Sequence, residues 1–338
     1  MHPYSKIKKF QHWEKEISNK LFNNINWSLQ KKTNLNRKEK IISLGSCFAQ
    51  HITKILKKKK FNYYITESDF KNKNCYSARY GNIYTTKQAY ELLYRSVKNE
   101  NKPLKMDCWK VKNFLVDPFR PREFSTGFRT YDEILNARKK HYTAVRKAFA
   151  EASVIIFTLG LTETWIEKSS NYSLPLAPGL FGGVYNKKNY TFLNLSYVEN
   201  VLYFEKFYKL IKLLNKKFKI ILTVSPVPLA ATYEKQNVII SSTYSKSNLR
   251  TLAEEMIKKY ENVYYFPSYE IITSHANKSK FFEKDFRNIN SLGVNTVMRI
   301  FFGSYLIHKK IKINKKKATN VDCDEDIINE MVKKIPKL

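Results

Sequence analysis

Four short apolar runs, rich in β-branched and aromatic residues, constrain this chain more than any other feature. They are Ile41-Ile42-Ser43-Leu44, Val154-Ile155-Ile156-Phe157-Thr158-Leu159, Ile220-Ile221-Leu222-Thr223-Val224 and Val263-Tyr264-Tyr265-Phe266. Each ends in glycine, serine or proline and is apolar on both faces, as strands buried on both sides are. Between them apolar residues recur at helical spacing: Phe48, Ile52, Ile55 and Leu56, then Leu135, Tyr142, Val145 and Phe149, then Leu249, Leu252, Met256 and Tyr260, and last Val294, Val297, Met298 and Phe301. Strands alternating with helices predict an α/β fold with a mainly parallel sheet and helices on both faces. Residues 1–40, polar with isolated aromatics, read as an arm packed on a domain spanning 41–308. Residues 309–338, a lysine run followed by Asp322, Asp324, Glu325 and Asp326, read as a loosely attached tail. Residues 168–196 read as one irregular but ordered loop, long enough to suggest a functional role.

Charge needs separate treatment, because the net charge of +32 invites a nucleic-acid partner. Eleven arginines leave fifty lysines among the 61 basic residues, and the chain is also rich in Asn, Ile, Tyr and Phe, all with A/T-rich codons. Base composition accounts for such a bias without any ligand. No nucleic-acid-binding signature accompanies the charge, so a nucleic acid is not the expected partner. Arginine recognises oxyanions through its forked guanidinium, and Arg120, Arg122, Arg129, Arg138 and Arg146 cluster just before the Val154 run. Any functional positive charge is expected there rather than at Lys57 to Lys60. No apolar stretch reaches the ~20 residues of a membrane span, and the N-terminus lacks the apolar core of an export signal. Cys47, Cys75, Cys108 and Cys323 form no C-x-x-C pair. The expectation is a cytoplasmic protein with no metal, no cofactor and no disulfide framework; oligomeric state is not legible.

Only nine glycines occur, where ordinary usage of ~7% gives about two dozen. Gly45, Gly81 and Gly160 lie at or near the ends of apolar runs, and ligands of open α/β sheets bind at the carboxyl ends of the strands. Leu44-Gly45-Ser46-Cys47-Phe48-Ala49, Tyr80-Gly81-Asn82-Ile83-Tyr84-Thr85 and Leu159-Gly160-Leu161-Thr162-Glu163 therefore outline one expected site.

Gly45-Ser46-Cys47-Phe48-Ala49 is the motif for which the GSCFA family is named. The chain resembles that family also at Gly81-Asn82-Ile83-Tyr84-Thr85, at His141 with Ala144-Val145-Arg146, at Thr158 to Glu163, at Pro178-Gly179, at Thr223 to Pro228 and at Ser245-Lys246 with Leu249-Arg250. The family in turn resembles the SGNH (GDSL-like) hydrolases, which implies a three-layer α/β/α sandwich. It also implies acyl chemistry, of the kind used in polysaccharide biosynthesis: an esterase or acyltransferase acting on an acyl ester of a carbohydrate or polyhydroxyl substrate. The alternative is an SGNH-fold protein that binds a glycan or nucleotide-sugar without turning it over.

Laid on SGNH blocks, the nucleophile position falls on Cys47 and the preceding aspartate on Ser46. A thiol at a helix N-terminus is favoured as thiolate, though Cys47 equally suits a small buried position and Ser46 an N-cap. The resemblance assigns oxyanion or substrate contacts to Gly81, Asn82, Gly160 and Thr162. Glu163 is either part of that block or a partner for an arginine such as Arg250. The SGNH Asp-x-x-His string reads Asp285-Phe286-Arg287-Asn288, which leaves Asp285 as an orienting acid and Asn288 where a base belongs. Asparagine does not exchange a proton near pH 7. Of the histidines, His51, one turn beyond Cys47, and His275, ten residues before Asp285, are near enough in sequence to approach the site, and His141 lies in a family-like helix; none occupies the expected place of the base.

Overall fold

A computed structural model of the chain describes residues 2–18, 20–27, 29, 31–68, 76–98, 108–124, 126–305 and 324–332. In chain order the strands are β1 (Ile41–Gly45), β2 (Trp109–Val111), β3 (Phe114–Val116), β4 (Val154–Leu159), β5 (Glu163–Glu167), β6 (Tyr172–Leu174), β7 (Tyr190–Asn194), β8 (Lys219–Val224) and β9 (Val263–Tyr265). The α-helices are α1 (Ala49–Lys58), α2 (Thr86–Lys98), α3 (Tyr131–Glu151), α4 (Tyr197–Leu214), α5 (Val238–Lys259), α6 (Ser268–Thr273), α7 (Ser291–Tyr305) and α8 (Asp326–Val332).

The four apolar runs form a parallel sheet in the order β1-β4-β8-β9, so the fold is α/β with a parallel central sheet. Alternation along each strand divides the core. Ile42, Leu44, Ile155, Phe157, Ile220 and Leu222 face a cluster completed by Leu93 of α2, Phe149 of α3, Phe207 of α4 and Leu252 of α5. Ile41, Val154, Ile156 and Ile221 face the other cluster, with Leu56 of α1, Ile271 of α6 and Phe301 of α7. Helices thus cover both faces. The arm contributes Phe22 and Leu35 to the second cluster, and the Leu35 N–H donates to the Tyr305 carbonyl at 2.8 Å.

The chain reverses its direction of travel across the sheet beside β1. Residues 61–65 run parallel along its outer edge, where the Ile41 N–H donates to Asn62 O at 2.9 Å and the Tyr64 N–H to Ile41 O at 2.8 Å. The next strand of the sheet, β4, pairs with β1 on the opposite side. Such a switch opens a crevice above the carboxyl ends of the two strands.

Two segments depart from the sequence reading. Residues 168–196 are not irregular throughout: β6 and β7 flank β5 in a three-stranded antiparallel sheet. Asn171, at φ 59°, makes the β5–β6 turn while the Glu167 carboxylate accepts from the Ser169 and Ser170 N–H groups. A three-residue strand is too short to show a period of two. α2 also escaped the apolar pattern, because its buried face carries Gln88, Glu91 and Arg95 as well as Leu92 and Leu93. Among the described residues, no helix is long and apolar enough to cross a membrane.

Candidate functional site

At the end of β1, Gly45 adopts φ 134°, and a Cβ there would lie 2.3 Å from the Thr158 carbonyl oxygen. Only glycine lets β1 and β4 end this close together. Backbone bonds then lace three segments: Ser46 N–H to Thr158 O at 3.1 Å, Ile83 N–H to Gly45 O at 2.8 Å, and both Gly160 and Leu161 N–H to Tyr84 O at 3.0 Å. A Cβ on Gly160 would meet the Ser46 Cβ at 3.0 Å, so Ser46 packs directly over Gly160. The Ser46 hydroxyl is buried with no hydrogen-bond partner among the described residues, a condition that costs about 1–3 kcal/mol. Cys47 is also buried; its carbonyl accepts from the Gln50 N–H at 3.1 Å, which puts it in the turn that starts α1.

Asn82 is the best-oriented polar group of the cleft. Its Oδ1 accepts from the Tyr76 hydroxyl and from Gln50 Nε2 at 3.3 Å, while Tyr76 also reaches the carbonyls of Gly45 at 3.2 Å and Ser46 at 3.1 Å. With its oxygen engaged behind, Nδ2 faces forward and donates to a carboxylate oxygen, Asp324 Oδ2, at 2.8 Å.

That carboxylate comes from the far end of the chain. The segment read in the sequence as a loosely attached tail has Asp324 and Glu325 buried in the cleft. Asp324 Oδ1 accepts from Arg122 at 3.2 Å, and its N–H donates to the Tyr84 hydroxyl at 3.2 Å. Glu325 accepts from the Ala230 N–H and from Arg287 Nη2, both at 3.1 Å, and Asp326 accepts from Arg287 Nη1 at 3.0 Å. Burial pushes the Glu325 carboxyl up, against the pull of Arg287 and of Lys246. Lys246, buried on α5, donates through Nζ to the Gly160 carbonyl at 2.7 Å.

Beside this polar group lies a cavity of about 400 Å³. Tyr84, Leu161, Glu325 and Ile328 are among the residues that line it. Trp165, Tyr185, Phe192 and Tyr233 form an aromatic group at the cavity, with Trp165 meeting Tyr185 at 5.3 Å and Tyr233 at 4.8 Å between ring centres. A mainly apolar hollow with few converging polar groups is the usual form of a small-molecule site.

The structure brings Ser46, Cys47, Asn82 and Gly160 together. Gly81, at φ 69°, shapes the turn before Asn82 and faces the Glu123 side chain. Thr162 is buried, and its hydroxyl donates to Asn194 Oδ1 at 2.6 Å, so its proton is spent away from the cleft. Glu163 lines the cavity; burial raises its carboxyl, and its partners are the Thr232 hydroxyl at 2.6 Å and the Tyr233 N–H. Arg250 pairs instead with Glu270 and Glu254. Asp285 and Asn288 are exposed and close on each other, with Asn288 Nδ2 donating to Asp285 Oδ2 at 2.6 Å. Partial burial opposes ionisation of Asp285, but the N–H groups of Arg287 and Asn288 outweigh it and hold the carboxyl below its usual range. The residue of that string that reaches the cleft is Arg287.

The imidazoles lie elsewhere or are held neutral. His51 is buried edge-on to Phe48, and desolvation takes it down to about 3. His275 stacks on Trp13, and His141 binds Glu67; His308, with Cys75 and Cys323, lies outside the described residues. Among the described residues, no group of three or more His, Cys, Asp or Glu is arranged to hold a metal. Sequence reasoning missed Tyr76, Gln50 and the aromatic cavity wall, and gave Lys246, quoted within a family string, no role. The cavity wall carried a signal, since the 168–196 segment is long, aromatic and marked by Pro175 and Pro178.

No curated protein matches the chain. The sequence profile of the GSCFA family, however, matches residues 40–301, a span that contains the Gly45-Ser46-Cys47 turn, Asn82, Gly160, Lys246 and Arg287, and the chain therefore belongs to the GSCFA family.

Proposed function

We propose that the protein is an SGNH-like esterase or acyltransferase acting on an acyl ester of a carbohydrate or other polyhydroxyl substrate. The observation that carries this reading is the Asn82 amide, fixed from behind by Tyr76 and Gln50 and donating to an anionic oxygen next to the Ser46–Cys47 turn. A donor preset for negative charge is what a tetrahedral acyl intermediate requires. The aromatic-walled cavity suits an acyl chain or the apolar face of a sugar ring.

In the reaction so read, Cys47 is the nucleophile. Its place in the turn before α1 sets it at the positive end of that helix, which favours negative charge on the attacking group. The sulfur bonds to the ester carbonyl carbon, and the oxyanion forms against Asn82. The carbon–oxygen bond then breaks, and the leaving alkoxide takes a proton from Glu163, whose burial-raised carboxyl holds one more readily than an exposed glutamate. Water, or a second hydroxyl in a transferase, attacks the thioester and returns its proton to Glu163.

The test is incubation with p-nitrophenyl esters of increasing acyl length, followed by intact mass and peptide mapping. The expected result is an acyl adduct on Cys47, with turnover in Asn82→Ala reduced by about 10²–10³. An adduct on Ser46, whose hydroxyl is unpartnered, would move the nucleophile by one residue and keep the reaction class; no adduct at any length sinks covalent catalysis. The closed, exposed Asp285–Asn288 pair favours a second reading, a binding protein without turnover. Ligand binding with no turnover in the native chain would select it, whereas Asn288→His, on a surface turn, is expected to restore nothing.

A further inference from the structure

Acyl transfer as read above needs none of the three consecutive carboxylates, Asp324, Glu325 and Asp326, that the end of the chain brings to the cleft. We infer that Arg122, Arg287 and the Ala230 N–H form a subsite for an oxyanion group carried by the substrate, a carboxylate or a phosphate, beside the Asn82 donor of the acyl site, and that Asp324–Asp326 occupies both in the substrate's place. The inference rests on the cleft being the substrate site, and names the class of substrate.

Three observations carry it. The donors are placed by elements other than the segment they hold. The neighbouring Asn82 amide is oriented by Tyr76 and Gln50, and the backbone that carries the Arg287 guanidinium is fixed by its N–H donating to Asp285 at 3.0 Å in a surface turn. A site whose donors are set independently of the occupant stays competent when the occupant leaves. Next, the segment is held mainly by charge. Asp324 and Glu325 are buried, yet Ile327 and Ile328 are only half-buried, and Glu330 and Met331 are exposed. A helix retained for its packing would bury its apolar side chains first. Finally, Glu325 and Ile328 wall the cavity, so a ligand filling the cavity abuts the subsite and competes with the segment. In a chain of eleven arginines, two guanidiniums bind consecutive carboxylates of one segment, Arg122 that of Asp324 and Arg287 those of Glu325 and Asp326, and the guanidinium fork suits a carboxylate or a phosphate.

The experiment uses the full chain with two unreactive probes, succinate and glycerol 3-phosphate, read by calorimetry and by hydrogen exchange across residues 324–332. At least one probe is expected to bind the native chain and to speed exchange in that segment. The Asp324→Asn/Glu325→Gln double variant, with the competing carboxylates neutralised, is expected to bind about tenfold tighter, because the competent state is no longer masked. Arg122→Leu, at the half-open rim, should weaken binding in both backgrounds, and adding Arg287→Leu should abolish it. Binding of succinate alone assigns a carboxylate and of glycerol 3-phosphate alone a phosphate; either supports the subsite. Absence of binding in a folded double variant overturns it, as does binding that neither speeds exchange at 324–332 nor weakens in Arg122→Leu. If Arg287→Leu fails to fold, Arg122→Leu alone decides. Neither probe is an ester, so a silent acyl trap leaves this result standing, and a failed binding test leaves the acyl trap untouched.

Discussion

Two clusters of arginine and carboxylate draw on one stretch of the chain, through Arg120 and Arg122, and behave as opposites. In the first, Asp117 is buried between Arg120 Nε at 3.1 Å and Arg138 Nη2 at 2.8 Å, while Glu67 reaches Arg120 at 3.5 Å and binds His141. Aromatic rings close it: Arg79 sits over Phe124 at 3.9 Å and Arg95 over Phe119 at 4.0 Å. In the second, Arg122 and Arg287 hold Asp324 to Asp326, with Arg122 about a third exposed and Asp326 nearly half. Arg120 and Arg122 are two residues apart, yet one is sealed into the scaffold and the other stands at the rim of the cleft. The number of arginines in a stretch does not locate function; what closes over each guanidinium does.

The sharpest way to break this contrast is Asp117→Ala. It leaves Arg120 and Arg138 buried without their shared carboxylate, and loss of one partner of a buried ionic group costs about 3–5 kcal/mol. The expected outcome is a urea midpoint far below that of the native chain, with Asp117→Asn intermediate. A loss under about 1 kcal/mol would show that water reaches the cluster and that the two regions are alike.

Next in size is Gly45→Ala, which strikes the frame of the cleft and leaves its charges alone. The added Cβ meets a backbone oxygen at 2.3 Å in a left-handed conformation, and the backbone penalty alone is about 1–3 kcal/mol. Stability is expected to fall by about 3 kcal/mol with the overpacking included, while the Asp117 cluster keeps its proton affinities. Unchanged stability would mean that β1 and β4 separate easily at that end.

These two sites also show what a sequence discloses. The strands were legible because each is a β-branched run apolar on both faces, and Gly45 and Gly160 because glycine is scarce and both end strands. Asn82 followed from its neighbour Gly81, and Arg122 from the arginine cluster. Arg120 could not be told from Arg122, since what separates them is the enclosure of one by Asp117, Glu67 and aromatic rings. Asp324 and Glu325 were legible as acids but not as occupants of a cleft: Asn82, a partner of Asp324, is 242 residues away, Ala230 and Arg287 lie 95 and 38 residues from Glu325, and no local pattern encodes such pairings. Asp285 and Asn288 were singled out by a string whose buried member is Arg287.

Titration separates the regions more gently. Burial and Arg120 depress His141 to about 4 despite Glu67, and burial takes His51 to about 3. Both are neutral in the folded chain at pH values where an unfolded histidine, near 6.5, takes up a proton. Stability is therefore lost as pH falls below about 6.5, by about 1.4 kcal/mol per pH unit for each histidine, until the folded values are reached. His141→Gln and His51→Gln should each make denaturation midpoints less steep in pH between about 6 and 4.5 by that slope. Glu67 works in the same direction at lower pH: burial opposes its ionisation, but His141 and Arg120 bring it to about 2, so its contribution is lost below about 4.5. A slope unchanged in His141→Gln would place the titrating groups outside the sealed cluster, and one unchanged in His51→Gln would show that water reaches the imidazole beneath Phe48.

The smallest effect on stability is expected from Asp324→Ala, the counterpart of Asp117→Ala in the cleft. Asp324 also binds an arginine, and it is buried, but its Arg122 partner is a third exposed and its other donor, Asn82, stays oriented by Tyr76 and Gln50 after the carboxylate is gone. Water can replace the lost oxygen at the rim, so the cost belongs with partly exposed pairs, about 1 kcal/mol or less. Urea denaturation of the two alanine variants side by side measures the difference between a charge cluster built to hold the fold and one built to be exchanged. A loss in Asp324→Ala equal to that in Asp117→Ala would make the end of the chain an integral wall of the domain, because a segment that exchanges with a ligand cannot also carry several kcal/mol of the fold.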